Sequence, residues 1–190
     1  MKTVMMWTRQ VPEVLDEIEK HGRYVCKKEY IEQKNGTISD YYLKLYDWYT
    51  REAGKYIHIS KELKYPIWLS VDEEMMLQPV ANSVILELEV PEDSYLLCNM
   101  DGWGYRVNYW YIPLDREDRL KHEEELKKYG IVNEEDLIMT DKGNFFPLLR
   151  NKIKSSWSRV FTIPPAKKEE AAATVWEIKK EWVKKVRRYE

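Results

Sequence analysis

The residues with the chemistry of a binding site are tryptophans and tyrosines set beside small or charged partners. The chain of 190 residues holds eight Trp and fourteen Tyr against only three Phe. Phe fills a core with no polar atom to satisfy, whereas Trp and Tyr bring an N–H or O–H that needs an acceptor or donor when buried. A chain with this preference builds surfaces that are apolar but wet at one edge. Clefts for planar ligands, base-stacking platforms and partner interfaces all have that character, and so does an aromatic core. Several rings lie in short polar-punctuated stretches: Trp7-Thr8-Arg9-Gln10, Pro66-Ile67-Trp68-Leu69-Ser70 and Gly102-Trp103-Gly104-Tyr105. The plain alternative for each is structural. Arg9 then pairs with a surface carboxylate, Trp68 packs in the core, and Asn108 completes a turn.

Standard catalytic and phosphate-binding motifs are missing from the sequence. There is no G-x-G-x-x-G, no P-loop, no H-E-x-x-H and no G-x-S-x-G, and seven glycines leave little material for a backbone phosphate cradle. His21, His58 and His122 have no ligand-like spacing to one another or to Cys26 and Cys98, which speaks against zinc. Two distant cysteines in apolar, strand-like runs read as buried free thiols of a cytoplasmic protein. The net charge of −2 gives no global field toward nucleic acid or acidic lipid. No apolar run is long enough to span a bilayer, and the first residues turn polar too soon for a signal peptide.

The elements that must position these residues follow from periodicity. Residues 3–9 read as a strand, followed by a helix that begins at Pro12 and ends at Gly22. Arg23 to Lys27 is extended, and Ser39 to Ala53 is a helix with Tyr42, Leu45, Tyr46, Tyr49 and Ala53 at helical spacing. Tyr65 to Val71 is a strand. Val84 to Val90 is the clearest strand, with Val84, Leu86, Leu88 and Val90 facing the core and Glu87 and Glu89 facing solvent. Pro91 ends it. Tyr95 to Cys98 is a further strand, Trp103 to Pro113 is a strand-rich aromatic segment, and Asp115 to Tyr129 is a charged helix. Leu148 to Trp157 is a basic helix, Val160 to Ile163 a short strand, and residues 168–188 a terminal helix. This order predicts one α+β domain over residues 1–190, with a small, split, mostly antiparallel sheet flanked by helices.

Beyond these patterns, several segments together resemble the bacterial family catalogued as domain of unknown function 3841. They are Thr8-Arg9-Gln10, Tyr46-Asp47-Trp48-Tyr49, Tyr65 to Ser70, Val84 to Pro91, Trp103 with Val107-Asn108-Tyr109, Ser156 to Phe161, and Val175 to Lys179. The resemblance covers nearly the whole chain in order and carries no activity with it. More distantly, the chain resembles the ADP-ribosyltransferase fold: an early strand with Arg9, a second closed by Ser70, and a third shaped Val84 to Pro91. That resemblance implies NAD as cofactor and ADP-ribosyl transfer to a macromolecule as the reaction. Arg9 would then clamp phosphate, Ser70 would bond the ribose, and Trp68 and Tyr109 would stack. Asn108, in the place of the late-strand acid, would orient the reacting ribose. Asn108 cannot supply the negative charge that an oxocarbenium-like centre calls for. Asp115 lies beyond that strand, and Glu177 falls in the terminal helix.

Two other classes of function remain. One is a non-catalytic module that holds a base or modified nucleotide in the aromatic cleft, with phosphates on a basic strip formed by Lys152, Lys154 and Arg159 with Lys179, Lys180, Lys184, Lys185, Arg187 and Arg188. The other is a partner-binding protein of a toxin–antitoxin or phage-defence type.

Overall fold

The computed structural model describes residues 2–190, and its contacts fall into two compact units. The first comprises residues up to Leu97 together with Lys167–Glu190, and the second is Cys98–Ala166. Strand β1 (Thr3–Gln10) leads into helix α1 (Glu13–His21), short strand β2 (Arg23–Tyr24), α2 (Lys28–Asn35) and α3 (Ser39–Ala53). Strands β3 (Ile67–Ser70), β4 (Ser83–Pro91) and β5 (Leu96–Asn99) follow. After the second unit come β6 (Ala171–Val175), β7 (Ile178–Lys179) and β8 (Val183–Tyr189). The main sheet has six strands in the order β5-β6-β3-β1-β4-β8, and β2 pairs with β7 in a separate ribbon. The pairs β1–β3, β1–β4, β3–β6 and β4–β8 are antiparallel. The α+β class and the split, antiparallel sheet are as the patterning predicts.

The sheet has two different faces. Met6, Ile67, Leu69, Val84, Leu86, Leu88, Val90, Ala173 and Val175 share a core with Val14 and Ile18 of α1 and with Tyr24, Ile178 and Trp182. Alternation places Trp7, Arg9, Trp68, Ser70, Thr174, Ile85 and Glu87 on the opposite face. Helix α3 covers part of that second face. Tyr49 is fully buried, packs on Trp68 at 5.3 Å, stacks on Trp176 at 6.2 Å, and shares a hydrogen bond with Thr174 Oγ1 at 3.1 Å. Helix α1 stops where Gly22 takes φ 72°, a left-handed conformation that leaves its N–H on Ile18 O.

The terminal helix expected over residues 168–188 is instead β6, β7 and β8. Its Ala, Lys and Glu content favours helix by propensity, but tertiary pairing overrides it. Ala173 and Val175 enter the core face, and on β8 the cations find acids across the ladder. Lys184 pairs with Glu89 at 2.5 Å, and Arg187 Nε donates to Glu87 at 2.7 Å.

The second unit is helical: α4 (Met100–Val107), α5 (Arg116–Lys128), α6 (Asp136–Met139), α7 (Pro147–Ser156) and α8 (Arg159–Thr162). The aromatic segment from Trp103 is thus a helix over its first half. Asn99 caps it, its side chain accepting from Gly102 N at 3.0 Å, a start signal hidden among glycines and rings. Val160 to Thr162 is likewise a helical turn and not a strand. Among the described residues, no helix is long and apolar enough to cross a membrane.

Both cysteines are free, Cys98 buried and Cys26 half-buried. Burial pushes the Cys26 thiol up, and the opposing pull of the Tyr24 hydrogen bond and of Lys34 does not cancel it. Thiolate is the reactive form. In native protein at neutral pH, iodoacetamide should therefore label Cys26 slowly and Cys98 only after unfolding, read by mass spectrometry. Fast labelling of both thiols would contradict these burials.

Candidate functional site

Three of the residues expected in a cleft come together on neighbouring strands. Trp7 on β1 is the register partner of both Ser70 on β3 and Glu87 on β4, and Arg9 sits two residues further along the same face. Trp68 is on this face too, two residues before Ser70. The ring of Trp68 lies against Tyr49, so it works as packing. Ser70 Oγ donates to Asp72 O at 3.0 Å.

Arg9 is half-buried, and its Nη1 donates to the main-chain carbonyl of Gln78 at 2.5 Å. Among the described residues no carboxylate pairs with it, unlike its neighbour on the face, Arg187, which bridges Glu87 and Glu73. Those two carboxylates raise the Arg187 pKa and hold it protonated. The Trp7 indole nitrogen is shielded from solvent and has no acceptor among the described residues. Other indoles are satisfied: Trp176 Nε1 donates to Thr50 Oγ1 at 2.8 Å, Trp157 Nε1 to Trp110 O at 2.9 Å, and Trp110 Nε1 to Glu135 at 3.2 Å. A buried donor without an acceptor is uncommon and calls for an explanation. In the sequence Trp7 stands out only as part of Trp7-Thr8-Arg9-Gln10; its missing acceptor is visible only in the fold.

Asn108 and Tyr109 lie in the second unit. Asn108 is not on a strand. It caps the C-terminus of α4, its Nδ2 donating to Gly104 O at 2.8 Å. Tyr109 follows with φ 62°, in the left-handed region, and its ring lies 6.0 Å from that of Trp157. The guanidinium of buried Arg106 is 3.9 Å from the Trp157 ring centroid, a close cation–π contact. Glu177 is not in a helix either. It lies in the turn between β6 and β7, paired with Arg23 at 2.9 Å and Lys179 at 3.6 Å.

The second unit also contains a polar cluster that the sequence conceals, because His122 sits in a helix that reads as uniformly charged. His122 Nε2 meets Glu134 Oε2 at 2.7 Å, and Tyr111 stacks on the imidazole at 4.1 Å. The Tyr111 hydroxyl donates to Asp118 at 2.8 Å, and Arg159 Nη1 donates to the same carboxylate at 3.1 Å. His122 and Tyr111 are only 4% exposed, so substrate has no access and the cluster acts as internal cross-bracing. No group of three or more His, Cys, Asp or Glu side chains able to hold a metal occurs among the described residues.

The fold is thus that of an α+β protein with an arginine and an orphaned indole donor on one sheet face. The chain belongs to the family described as Domain of unknown function (DUF3841), whose model matches residues 5–184. No curated protein and no solved structure matches it.

Proposed function

We propose that this protein binds NAD or a related nucleotide on the face formed by β1 and β3, with ADP-ribosyl transfer to a macromolecule as its reaction. The observation that carries this reading is the state of Arg9. It is half-buried, bonded to a single neutral carbonyl, and without a carboxylate among the described residues. Guanidinium groups are well matched to phosphate, to which they give paired, charge-assisted hydrogen bonds. Ser70 on the adjacent strand offers a hydroxyl for ribose. The resemblance to ADP-ribosyltransferases points to NAD among nucleotides.

Calorimetry with NAD and ADP-ribose tests the reading. Arg9→Ala should weaken binding by about 1.5–3 kcal/mol, the worth of a hydrogen bond to a charged group. A nicotinamide-release assay tests turnover. Absence of binding at millimolar ligand would end the proposal.

A second reading, partner binding, is favoured by a different observation. Phe145 is 79% exposed and Leu148 85% exposed, on either side of the Pro147 helix start. The nucleic-acid reading loses its main support. The tail cations Lys179, Lys180, Lys184, Lys185 and Arg187 pair with Glu177, Glu19, Glu89, Glu87 and Glu73, and form no basic helix face.

A further inference from the structure

Residues 71–82 run from β3 to β4 without helix or strand of their own. This segment is longer than the usual connection of about four to six residues. It is held in place from outside by three side chains. Arg9 donates to Gln78 O, Arg187 bridges to Glu73, and Lys168 Nζ meets Asp72 Oδ2 at 3.2 Å. Its ends are folded by Ser70 Oγ on Asp72 O and by Ser83 Oγ donating to Val80 O at 2.6 Å. Val71 packs against the core where the loop leaves β3, but further along Met75, Leu77 and Val80 are 44%, 61% and 52% exposed. A segment with few buried apolar contacts and exposed polar tethers belongs to the least stable part of a fold.

The central tether is the one that a ligand can replace. Gln78 offers Arg9 one neutral acceptor, whereas a phosphate offers several charged ones, and charge-assisted bonds are roughly twice as strong. We infer that residues 71–82 form the lid of the Arg9 site, released when a phosphate-bearing ligand takes the guanidinium from the Gln78 carbonyl. This rests on the nucleotide reading above. The closed lid then competes with the ligand. Loosening a tether remote from Arg9 raises apparent affinity, because it enlarges the population competent to bind. A purely structural role for Lys168, whose side chain is 79% exposed, produces no such gain.

Hydrogen exchange read by mass spectrometry on the full chain, with calorimetry alongside, tests this with ADP-ribose, inorganic pyrophosphate and adenosine as probes. Arg9→Ala should raise exchange in residues 71–82 without ligand. ADP-ribose should do the same in the wild-type chain, and adenosine should not. Pyrophosphate alone should suffice if phosphate is the recognised part; release by ADP-ribose only would place the requirement on the whole nucleotide, still through Arg9. Lys168→Ala should bind ADP-ribose about two- to fivefold tighter, the effect of removing one exposed ion pair from the closed state. If ADP-ribose binds while exchange in 71–82 stays level or falls, or if Lys168→Ala binds no tighter, the lid is overturned and the nucleotide reading stands. If neither ADP-ribose nor pyrophosphate binds, the nucleotide reading falls and ligand release falls with it.

Discussion

Replacing Gly143 with alanine is expected to destabilise the protein by about 3 kcal/mol, lowering the melting temperature by roughly 6–12 °C for a chain of this size. The reason is a backbone contact. A Cβ at this position would lie 2.0 Å from the carbonyl oxygen of Leu137 and 2.8 Å from Arg150 Cδ. A flexible side chain could move aside, but the Leu137 carbonyl belongs to α6, and Leu137 itself is fully buried. The turn must therefore lift off α6, and the start of α7 moves with it. Gly104 provides the contrast. It lies inside α4, and a Cβ there would meet nothing within 4 Å. Gly104→Ala should stabilise by about 0.5–1 kcal/mol, since glycine is a poor helix former. Thermal denaturation followed by circular dichroism compares the two. A Gly143→Ala variant melting within about 2 °C of the parent would refute the packing of this turn against α6.

The second large effect is expected at Asp118. Its carboxylate accepts from Leu114 N at 2.8 Å, from the Tyr111 hydroxyl at 2.8 Å and from Arg159 at 3.1 Å. Asp118→Ala leaves a buried phenol, a half-buried guanidinium and a main-chain N–H without that acceptor, at a cost of about 2–4 kcal/mol. Burial alone would push this carboxyl up. The Leu114 N–H, the Tyr111 hydroxyl and Arg159 outweigh it and hold the pKa below the ordinary aspartate value. The sign follows from linkage. A carboxyl with a lower pKa in the folded than in the unfolded chain adds stability that is complete above the unfolded value, about 4. That contribution is lost as pH falls through the folded value. Urea denaturation followed by tryptophan fluorescence should show a gap between the parent and Asp118→Asn at pH 7 that narrows below about pH 4. An unchanged gap at about pH 2.5 would rule out this account of Asp118.

What could be read in the chain follows from how local each signal is. The strand ending in Gln10, the helix between Pro12 and Gly22, and the helix Ser39–Ala53 were legible, because each carries its own period and its own stop. Helix Lys28–Asn35 was missed because only Ile31 is buried, which leaves no stripe to detect. The tail misled for the opposite reason. Its Lys and Glu residues satisfy helical propensity locally, but their actual partners, Glu87 and Glu89, lie about a hundred residues away along the chain.

The candidate site divides in the same way. Residue type marked Arg9 and Ser70 as able to meet a nucleotide, and Trp68 as able to stack. Only the sheet decided that Arg9 and Ser70 share a face, through the pairing of Trp7 with Ser70, and only the packing of α3 decided that Trp68 is already taken by Tyr49. Asn108 reads as a late-strand residue in the sequence, whereas the Asn99 cap starts a helix there and leaves Asn108 at its C-terminal end. Order and periodicity along the chain suffice for the α+β class, the core face of β4 and the family. Among the described residues, tertiary structure alone decided which charges are neutralised, that the Trp7 indole lacks an acceptor and that Arg9 lacks a carboxylate. Electrostatic and hydrogen-bond satisfaction is a property of neighbours in space, and a sheet brings those neighbours together from distant parts of the chain.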